Sequence, residues 1–257
     1  MKAIVLTFDR HRAITQHLIL QYERIWPDHP FHFRIPYQQL RGPDSEHVKY
    51  IESSPEITST LLRLIEDIED EEWIYWCSDD KYPIRLMVEK IKELLNYALA
   101  TSEMSGLLFC RTRVTLNQPE LSLLPHQRIT PAGDVLLERK GWYKIWIHQF
   151  LKAKVLRSLF SQLPLEIPSA KALDALKDQI RKPDEYRLFV TEQNFAVFGE
   201  STKRGVITRN CLESIRQTNI ELPEWFQHSN GEWVTMGKLP EKSPWQRLRS
   251  RVFSRKS

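Results

Sequence analysis

The hydrophobic pattern of the first 110 residues alternates between short apolar runs and longer stretches with apolar residues at helical spacing. The apolar, β-branched runs predict strands at residues 2–8, 31–35, 73–77 and 106–110. The helical spacing predicts helices at residues 13–26, 53–68 and 84–99. Strands and helices in this order are typical of an α/β fold, in which helices cover both faces of a mainly parallel central sheet.

The pattern after residue 110 is less regular and predicts a mixed second half. Residues 111–141 are rich in Pro, Gln and Thr, which indicates loops and short strands. Helical spacing is present at residues 142–163, 169–181 and 210–217, and short strand patterns are present at 186–190 and 195–198. Beyond Pro223 the repeated prolines predict irregular chain.

The scarcity of glycine excludes several common phosphate-binding and catalytic motifs. The chain has 8 glycines in 257 residues and contains no G-x-G-x-x-G, P-loop, G-x-S-x-G or H-E-x-x-H motif. Its three cysteines, Cys77, Cys110 and Cys211, are widely spaced. Because no C-x-x-C occurs, we expect buried free thiols rather than a zinc site or a disulfide framework.

The lengths of the hydrophobic runs also indicate where in the cell the protein is expected. The apolar run at the amino terminus spans only about six residues, which is too short for the core of a signal peptide. No stretch approaches the roughly 18 apolar residues of a membrane span. We therefore expect a cytoplasmic protein.

Positive charge is concentrated at the carboxyl terminus. The net charge of the chain is +4, to which residues 238–257 contribute +6 and the rest −2. An acidic body disfavours nucleic acid as a partner. Residues 244–257 have the pattern of a basic amphipathic helix, which we expect to lie on an anionic membrane surface at the inner face of the membrane. A disordered basic end and a helix docked on the body are the alternatives.

Two adjacent carboxylates follow the most apolar strand pattern of the first half. The run Trp73–Cys77 leads directly into Ser78, Asp79, Asp80 and Lys81. Ligands of parallel sheets bind beyond the carboxyl ends of the strands, and paired carboxylates there need an offsetting charge. A hard divalent cation such as Mg²⁺ or Mn²⁺ favours carboxylate oxygens. The alternative is a turn in which an aspartate caps the next helix.

Residues 1–115 resemble the GT-A glycosyltransferases of the nucleotide-diphospho-sugar transferase superfamily. The resemblance lies in this motif and in the order and spacing of the predicted strands and helices. That family carries an Asp-x-Asp motif after a hydrophobic strand, and the acids bind a divalent cation on the diphosphate of a nucleotide-sugar donor. The corresponding positions here are Ser78, Asp79 and Asp80, of which Ser78 departs from the pattern. The resemblance implies Asp80 as the first metal ligand and Asp79 as the second, with a donor contact also at Asp79. With Ser78 in place, chemistry without a metal stays open.

The resemblance also assigns the loop after the first strand to the donor. It implies that Thr7, Phe8, Asp9 and Arg10 lie near the base and ribose of the nucleotide. For Asp9 and Arg10 the alternative is an exposed turn.

The second half is then expected to hold the acceptor and the general base of an inverting reaction. Glu200 and Glu192 are the candidates for that base, since each follows a predicted strand. Lys203 and Arg204, in the same loop as Glu200, are candidates for neutralising the diphosphate leaving group. Solvated charged turns are the alternative for both segments.

Aromatic and histidine side chains give weaker indications. Trp142 and Trp146 are candidates for stacking on a sugar, and His148, on a helical pattern, is expected to be a buried histidine with satisfied hydrogen bonds. The role of His11 stays undecided.

These patterns together favour a glycosyltransferase that depends on Mn²⁺ or Mg²⁺. The resemblance implies transfer of a sugar from a nucleotide-diphosphate donor to a glycan or lipid-linked acceptor, in surface-polysaccharide biosynthesis. Residues 1–115 would bind the nucleotide sugar, 116–237 would form the acceptor-binding and catalytic half, and 238–257 the basic tail. The alternatives are a sugar nucleotidyltransferase and a non-enzymatic module that binds an anionic membrane or nucleic acid through its tail.

Overall fold

The amino-terminal half builds a parallel sheet in the computed structural model, which describes residues 1–111, 119–166 and 170–239. The strands are β1 (Lys2–Leu6), β2 (His32–Tyr37), β3 (Val48–Glu52) and β4 (Trp73–Ser78). Helix α1 (Arg12–Ile25) follows β1, and helix α2 (Ile57–Leu64) follows β3. β1 pairs in parallel with both β2 and β4, and β3 pairs in parallel with β2.

The second half extends this sheet to nine strands. The next elements along the chain are β5 (Lys81–Leu86), α3 (Val88–Ala100), β6 (Met104–Leu108), α4 (Pro119–Ser122), β7 (Leu123–Ile129), β8 (Val135–Arg139), β9 (Gln149–Lys152), α5 (Ala153–Phe160), α6 (Ala170–Lys177) and β10 (Arg187–Thr191). The order across the large sheet is β3-β2-β1-β4-β9-β6-β10-β8-β7. β9 runs antiparallel to its neighbours β4 and β6, whereas β10 is parallel to β6.

A small second sheet lies beyond the end of β4. It consists of β5, β11 (Ala196–Glu200) and β14 (Thr235–Met236), in the order β14-β11-β5. Between β11 and β14 the chain forms the hairpin β12 (Thr202–Lys203) and β13 (Val206–Ile207), helix α7 (Arg209–Ile215) and a 3-10 turn at Glu224–Phe226. Because β5 follows β4 after a two-residue turn, the small sheet is held against the carboxyl edge of the large one.

Helices cover both faces of the large sheet. Successive side chains of a strand point to opposite faces. Accordingly Ala3 and Val5 of β1 belong to the hydrophobic cluster that includes α1 and α3, whereas Ile4 belongs to a second cluster that includes α2 and α5. Burial on both faces is what the near-continuous apolar runs of β1 and β4 indicate. The predicted α/β class, with a mainly parallel central sheet flanked by helices, is confirmed.

The continuous helix predicted at residues 142–163 is wrong. Residues 142–163 form turns, the strand β9 and only then the helix α5. All four residues of β9, Gln149–Lys152, are buried between β4 and β6. Aromatic and aliphatic residues in this stretch satisfy a helical period as well as a strand period, so the pairing with distant strands decides the outcome.

Two smaller differences concern an additional strand and the start of a helix. β3 is a strand that the hydrophobic pattern did not indicate, and β5 occupies the predicted start of a helix, which begins at Val88 instead.

Residues 240–257, which include the predicted basic amphipathic helix, lie outside the described residues. The division of the chain at residues 115 and 237 stays a prediction. Within the described part of the chain, no helix has the length and apolar character needed to cross a bilayer.

Candidate functional site at the carboxyl edge of the sheet

The ends of β1 and β4 bring Asp79 against the loop that follows β1. The two strands are parallel neighbours with Leu6 opposite Ser78, so the residues after both strands meet at one edge. The Thr7 hydroxyl donates a 2.6 Å hydrogen bond to Oδ2 of Asp79, and His11 Nδ1 donates one of 2.9 Å to the same oxygen. Asp79 is 8% exposed. This carboxylate therefore ties the two loops together.

The same contacts change the protonation of His11. Burial acts to lower the pKa of His11, but the hydrogen bond and charge of Asp79 outweigh it and raise the pKa above its ordinary value. The ring also packs against Phe226, with 5.6 Å between ring centroids. His11 is thus held as a partner of Asp79 by the loop after β1 and by the 3-10 turn at Glu224–Phe226.

Asp80 forms a separate ion pair that faces the small sheet. The Ser78 hydroxyl donates a 2.5 Å hydrogen bond to Oδ1 of Asp80, and Lys81 Nζ donates one of 2.6 Å to Oδ2. The side chain of Lys81 is 9% exposed and that of Asp80 is 45% exposed. Partial burial acts to raise the pKa of Asp80, but the nearby Lys81 ammonium and the Ser78 hydroxyl lower it overall.

The register of the small sheet sets Glu200 directly opposite Lys81. β11 pairs antiparallel with β5, with Glu200 aligned to Lys81 and Gly199 aligned to Tyr82. Directly opposed residues of an antiparallel pair point to the same face. The Ser201 amide also donates a 2.6 Å hydrogen bond to the carbonyl of Asp80. The structure therefore brings together Asp80, Lys81 and Glu200, the last of which is remote in sequence from the other two.

Gly199 permits this close approach. A Cβ atom at Gly199 would lie 2.5 Å from the Tyr82 ring. Tyr82 is 2% exposed, and its hydroxyl accepts a 2.8 Å hydrogen bond from Asn210 Nδ2. Because the ring is buried and held by this bond, glycine is required for β11 to lie against β5.

Lys81 and Glu200 both line a cavity of about 1100 Å³. Its basic residues are Lys81, Arg111, Lys144, Lys177 and Lys238, its acidic residues are Asp174, Asp178 and Glu200, and its aromatic residues are Tyr143, Trp146 and Trp233. Basic side chains therefore outnumber acidic ones in the described wall, although residues 1–237 of the chain are net acidic. A wall of this composition attracts anions.

Three lysines of this wall differ in their ion pairing and burial. Lys177 is paired with Asp174 and Asp178, whereas Lys81 is paired with Asp80. Burial lowers the pKa of Lys144, which is half-buried on a turn with a left-handed backbone, φ +58°. An anion in the cavity would restore the stability of the charged form of Lys144.

Asp9, in the loop after β1, is held by hydrogen bonds within the protein. The Asp9 carboxylate accepts backbone hydrogen bonds from Gln39 and Leu40, at 2.7 and 2.9 Å, and a 3.0 Å bond from Arg12. Burial acts to raise the pKa of Asp9, but these backbone bonds lower it overall. Asp9 therefore joins the end of β1 to the loop after β2.

The other residues predicted for this loop differ in exposure. Phe8 is partly buried and Thr7 is buried. Arg10 is exposed, and its guanidinium lies over the ring of Trp225, 5.7 Å from the centroid. None of the four predicted residues is among the described residues that line the cavity.

Three further predicted residues lie apart from Lys81 and Glu200. Glu192 is exposed, and its carbonyl accepts a hydrogen bond from Arg111. Lys203 forms an ion pair with Glu232, and Arg204 is exposed at the turn of the hairpin. The cavity wall, as far as the structure describes it, includes neither Glu192 nor these two basic residues of the hairpin.

His148 is a satisfied buried histidine, as expected, although it precedes a strand. Its Nε2 donates a 2.9 Å hydrogen bond to the carbonyl of Ser78, and its Nδ1 accepts one of 2.8 Å from Tyr22. Burial lowers the pKa of His148 to about 4. Of the two stacking candidates, Trp142 is 2% exposed and too deeply buried to stack on a ligand, whereas Trp146 lines the cavity.

Sequence reasoning missed Lys81, His11 and Lys144. Lys81 directly follows the two acids, so its position in the motif was the available signal. Nothing in the local sequence of His11 or Lys144 distinguishes them from other loop residues, because their partners are remote in the chain.

In the described residues, three of the four carboxylate oxygens of Asp79 and Asp80 are engaged by protein partners, which disfavours a resident divalent cation. Oδ2 of Asp79 already accepts two hydrogen bonds, and both oxygens of Asp80 are engaged by Ser78 and Lys81. Residues 1–111, 119–166 and 170–239 contain no group of three or more His, Cys, Asp or Glu side chains arranged to hold a metal ion. A cation at Oδ2 of Asp80 would compete with the ammonium of Lys81.

Comparisons with known proteins find likeness in fold only. No family model and no curated protein matches the sequence. Among solved structures, the galactosyltransferase LgtC, in complex with donor and acceptor sugar analogues, is 14% identical, with a TM-score of 0.42 over 74% of this chain and 73% of its own. S. aureus TarS (residues 1–349) is 14% identical, with a TM-score of 0.44 over 76% of this chain and 59% of its own.

A nucleotidyltransferase is similar to the same degree. The 2-C-methyl-D-erythritol 4-phosphate cytidylyltransferase of Thermus thermophilus is 12% identical, with a TM-score of 0.45 over 84% of this chain and 97% of its own. At this level of likeness, the three solved structures give no information on the activity or the substrate of this chain.

Proposed function

We propose that the chain is a glycosyltransferase that moves a sugar from a nucleotide-diphosphate donor to a hydroxyl of a glycan or lipid-linked acceptor. The observation that carries the proposal is Glu200 directly opposite Lys81 in the wall of the cavity at the carboxyl edge of the sheet. This arrangement offers a carboxylate that can accept a proton and an ammonium that can face a phosphate. Both are what sugar transfer from a diphosphate donor requires.

The size and charge of the cavity suit a large anionic substrate. Its volume of about 1100 Å³ is slightly above the roughly 300–1000 Å³ range of small-molecule pockets. Its excess of basic side chains suits a diphosphate, and the exposed ring of Trp233 and the ring of Trp146 offer surfaces on which a sugar can stack.

The proposed chemistry is a single displacement. The acceptor oxygen forms a bond to the anomeric carbon while the bond from that carbon to the diphosphate oxygen breaks. Glu200 accepts the proton of the acceptor hydroxyl, and the departing diphosphate keeps the electron pair of the broken bond. Lys81 and Lys144 face the negative charge that develops on the leaving group.

The choice between the two candidate bases rests on position. Glu200 lines the cavity next to Lys81, whereas Glu192 is exposed outside the described wall. We therefore assign the base to Glu200.

The cellular role and the membrane association stay predictions from the sequence. They are a role in surface-polysaccharide biosynthesis, peripheral association with the membrane and binding of an anionic surface by residues 244–257.

The experiment is a screen of sugar nucleotides for thermal stabilisation, carried out once with EDTA and once with Mn²⁺. A donor at 100 times its Kd stabilises a protein by about 2.7 kcal/mol, which raises the midpoint by several degrees. With the donor so found, release of nucleoside diphosphate is measured with simple sugars as acceptors. We expect Glu200→Gln to keep the stabilisation and to lose at least about 100-fold in release.

Glu192→Gln is the matched control. It should keep both the thermal stabilisation by the donor and the release of nucleoside diphosphate. Stabilisation by nucleoside triphosphates alone, with release of pyrophosphate when a sugar phosphate is added, would instead support a sugar nucleotidyltransferase. Absence of stabilisation by every donor in both media, with liposome or nucleic-acid binding that is lost on removal of residues 244–257, would support a non-enzymatic module.

A further inference from the structure

Lys81 is a nearly buried cation whose hydrogen-bonding capacity is only partly used. Its ammonium lies 2.6 Å from Oδ2 of Asp80, and its side chain is 9% exposed. An ammonium has three N–H donors. In the described residues, the hydrogen bond to Asp80 uses one of them, and the side chain lines the cavity. Two donors therefore remain for a ligand.

The ion pair also fixes the direction of the ammonium. Asp80 is itself held by the Ser78 hydroxyl at 2.5 Å, and its carbonyl accepts the Ser201 amide at 2.6 Å. A lysine that is buried beside a restrained carboxylate loses little further rotamer freedom on binding a ligand. Lys81 is thus prepared to bind an anion before the anion arrives.

Lys81 and a divalent cation would compete for Asp80. Three of the four carboxylate oxygens of the motif accept hydrogen bonds from the protein: Oδ2 of Asp79 from Thr7 and His11, and both oxygens of Asp80 from Ser78 and Lys81. A cation bound to Asp80 would lie beside the ammonium that shares the same oxygen, and like charges at this range repel. The ammonium and a metal ion are therefore alternatives.

On the basis of the transferase function proposed above, we propose that Lys81 supplies the positive charge for the donor diphosphate, so that the protein binds its donor without a divalent cation. Asp80 then acts as a positioning residue for Lys81 rather than as a metal ligand. Lys144, on the same wall, adds a second cation for the diphosphate.

The test measures donor affinity by calorimetry in EDTA and in Mn²⁺. The probe is UDP together with whichever sugar nucleotide stabilises the unmodified protein. We expect the unmodified protein to bind equally well, within about twofold, in both media. We expect Lys81→Ala to lose at least about 10-fold in affinity in EDTA, because a charge-assisted contact to phosphate is removed. Mn²⁺ should recover part of that loss, since Asp80 is then available to a metal.

Lys49→Ala is the control, because Lys49 is an exposed residue of β3 that is not among the described residues of the cavity wall. It should match the unmodified protein in both media. Binding by the unmodified protein only in Mn²⁺ would overturn the inference and leave the transferase function intact, and so would unchanged affinity of Lys81→Ala in EDTA. The comparison of media needs no variant, so it holds even if Lys81→Ala folds poorly. Absence of donor binding in both media would overturn the function itself.

Discussion

The contact of Asp79 with His11 predicts a stability difference that depends on pH. Replacing Asp79 by Asn keeps the size of the side chain and an acceptor for Thr7, but it removes the negative charge opposite His11. The hydrogen bonds in question are 2.6 Å from Thr7 and 2.9 Å from His11. The side chain of Asp79 is 11% exposed and that of His11 is 24% exposed, so solvent screens the pair only in part.

The magnitude follows from the charge on each partner. A hydrogen bond to a charged group contributes about 1.5–3 kcal/mol and a neutral one about 1 kcal/mol. Asp79→Asn should therefore cost roughly 2–4 kcal/mol when His11 is protonated and about 1 kcal/mol when it is neutral. In a domain of this size 1 kcal/mol corresponds to about 2–4 °C of Tm, so we expect a decrease of at least about 5 °C at pH 6.

The direction of the pH dependence comes from the raised pKa of His11. A histidine whose folded pKa lies above its unfolded value of about 6.5 stabilises the fold fully below that value, and the contribution is lost as the pH rises through the folded pKa. The Tm difference between the unmodified protein and Asp79→Asn should thus shrink between pH 6 and pH 8.5. Burial lowers the pKa of His17 and of His148 to about 4, which acts in the opposite direction but equally in both proteins.

The assay is thermal unfolding followed by circular dichroism at pH 6, 7 and 8.5. Asp184→Asn is the control, because Asp184 is 84% exposed in a surface pair with Arg181 and should change Tm little at any pH. An Asp79→Asn protein with the same Tm deficit at pH 6 and pH 8.5 would contradict the reasoning on His11. A deficit below about 1 °C throughout would contradict the structural role of Asp79.

Three further predictions concern the cavity and its supports. Glu200→Gln should lower the rate of sugar transfer by about 10²–10⁴-fold in a nucleoside diphosphate release assay, without weakening donor affinity by calorimetry; a rate within threefold of normal would remove it as the base. Gly199→Ala should lower Tm by several degrees, since a Cβ atom 2.5 Å from the buried Tyr82 ring costs about 1–3 kcal/mol; an unchanged Tm would mean that the ring can move. Arg139→Met should cost about 2 kcal/mol in a urea unfolding experiment, because the fully buried guanidinium donates a 2.8 Å bond to the carbonyl of Tyr143 in the cavity wall; an unchanged midpoint would show that this bond is dispensable.

The strands and helices of the first half were predictable because their signals are local. β1 and β4 are continuous apolar runs, and α1 and α3 show an apolar face at helical spacing. β9 was not predictable in this way. Its four residues are a strand because β4 and β6 provide hydrogen-bonding partners on both sides, and those partners are remote in the chain.

The candidate site, too, was predictable only where its signals are local in the sequence. The acid pair after β4 and the glutamate at the end of β11 were found from the sequence, since an ionisable residue at the end of a buried strand is a local feature. The partners of these residues were not. Asp79 is bound by His11, which is remote from it in the chain, and Asp80 by the lysine beside it.

By itself the sequence determined the α/β class, the shortage of glycine for phosphate binding and the edge of the sheet at which chemistry is expected, because each depends on neighbouring residues or on composition. Only the tertiary structure decided that Glu200 lies opposite Lys81 and that Glu192 lies outside the described cavity wall. Those outcomes depend on the register between β5 and β11, where a shift of one residue would turn Glu200 to the other face. Register is set by packing across the whole fold, and here the close contact of Gly199 with Tyr82 holds it.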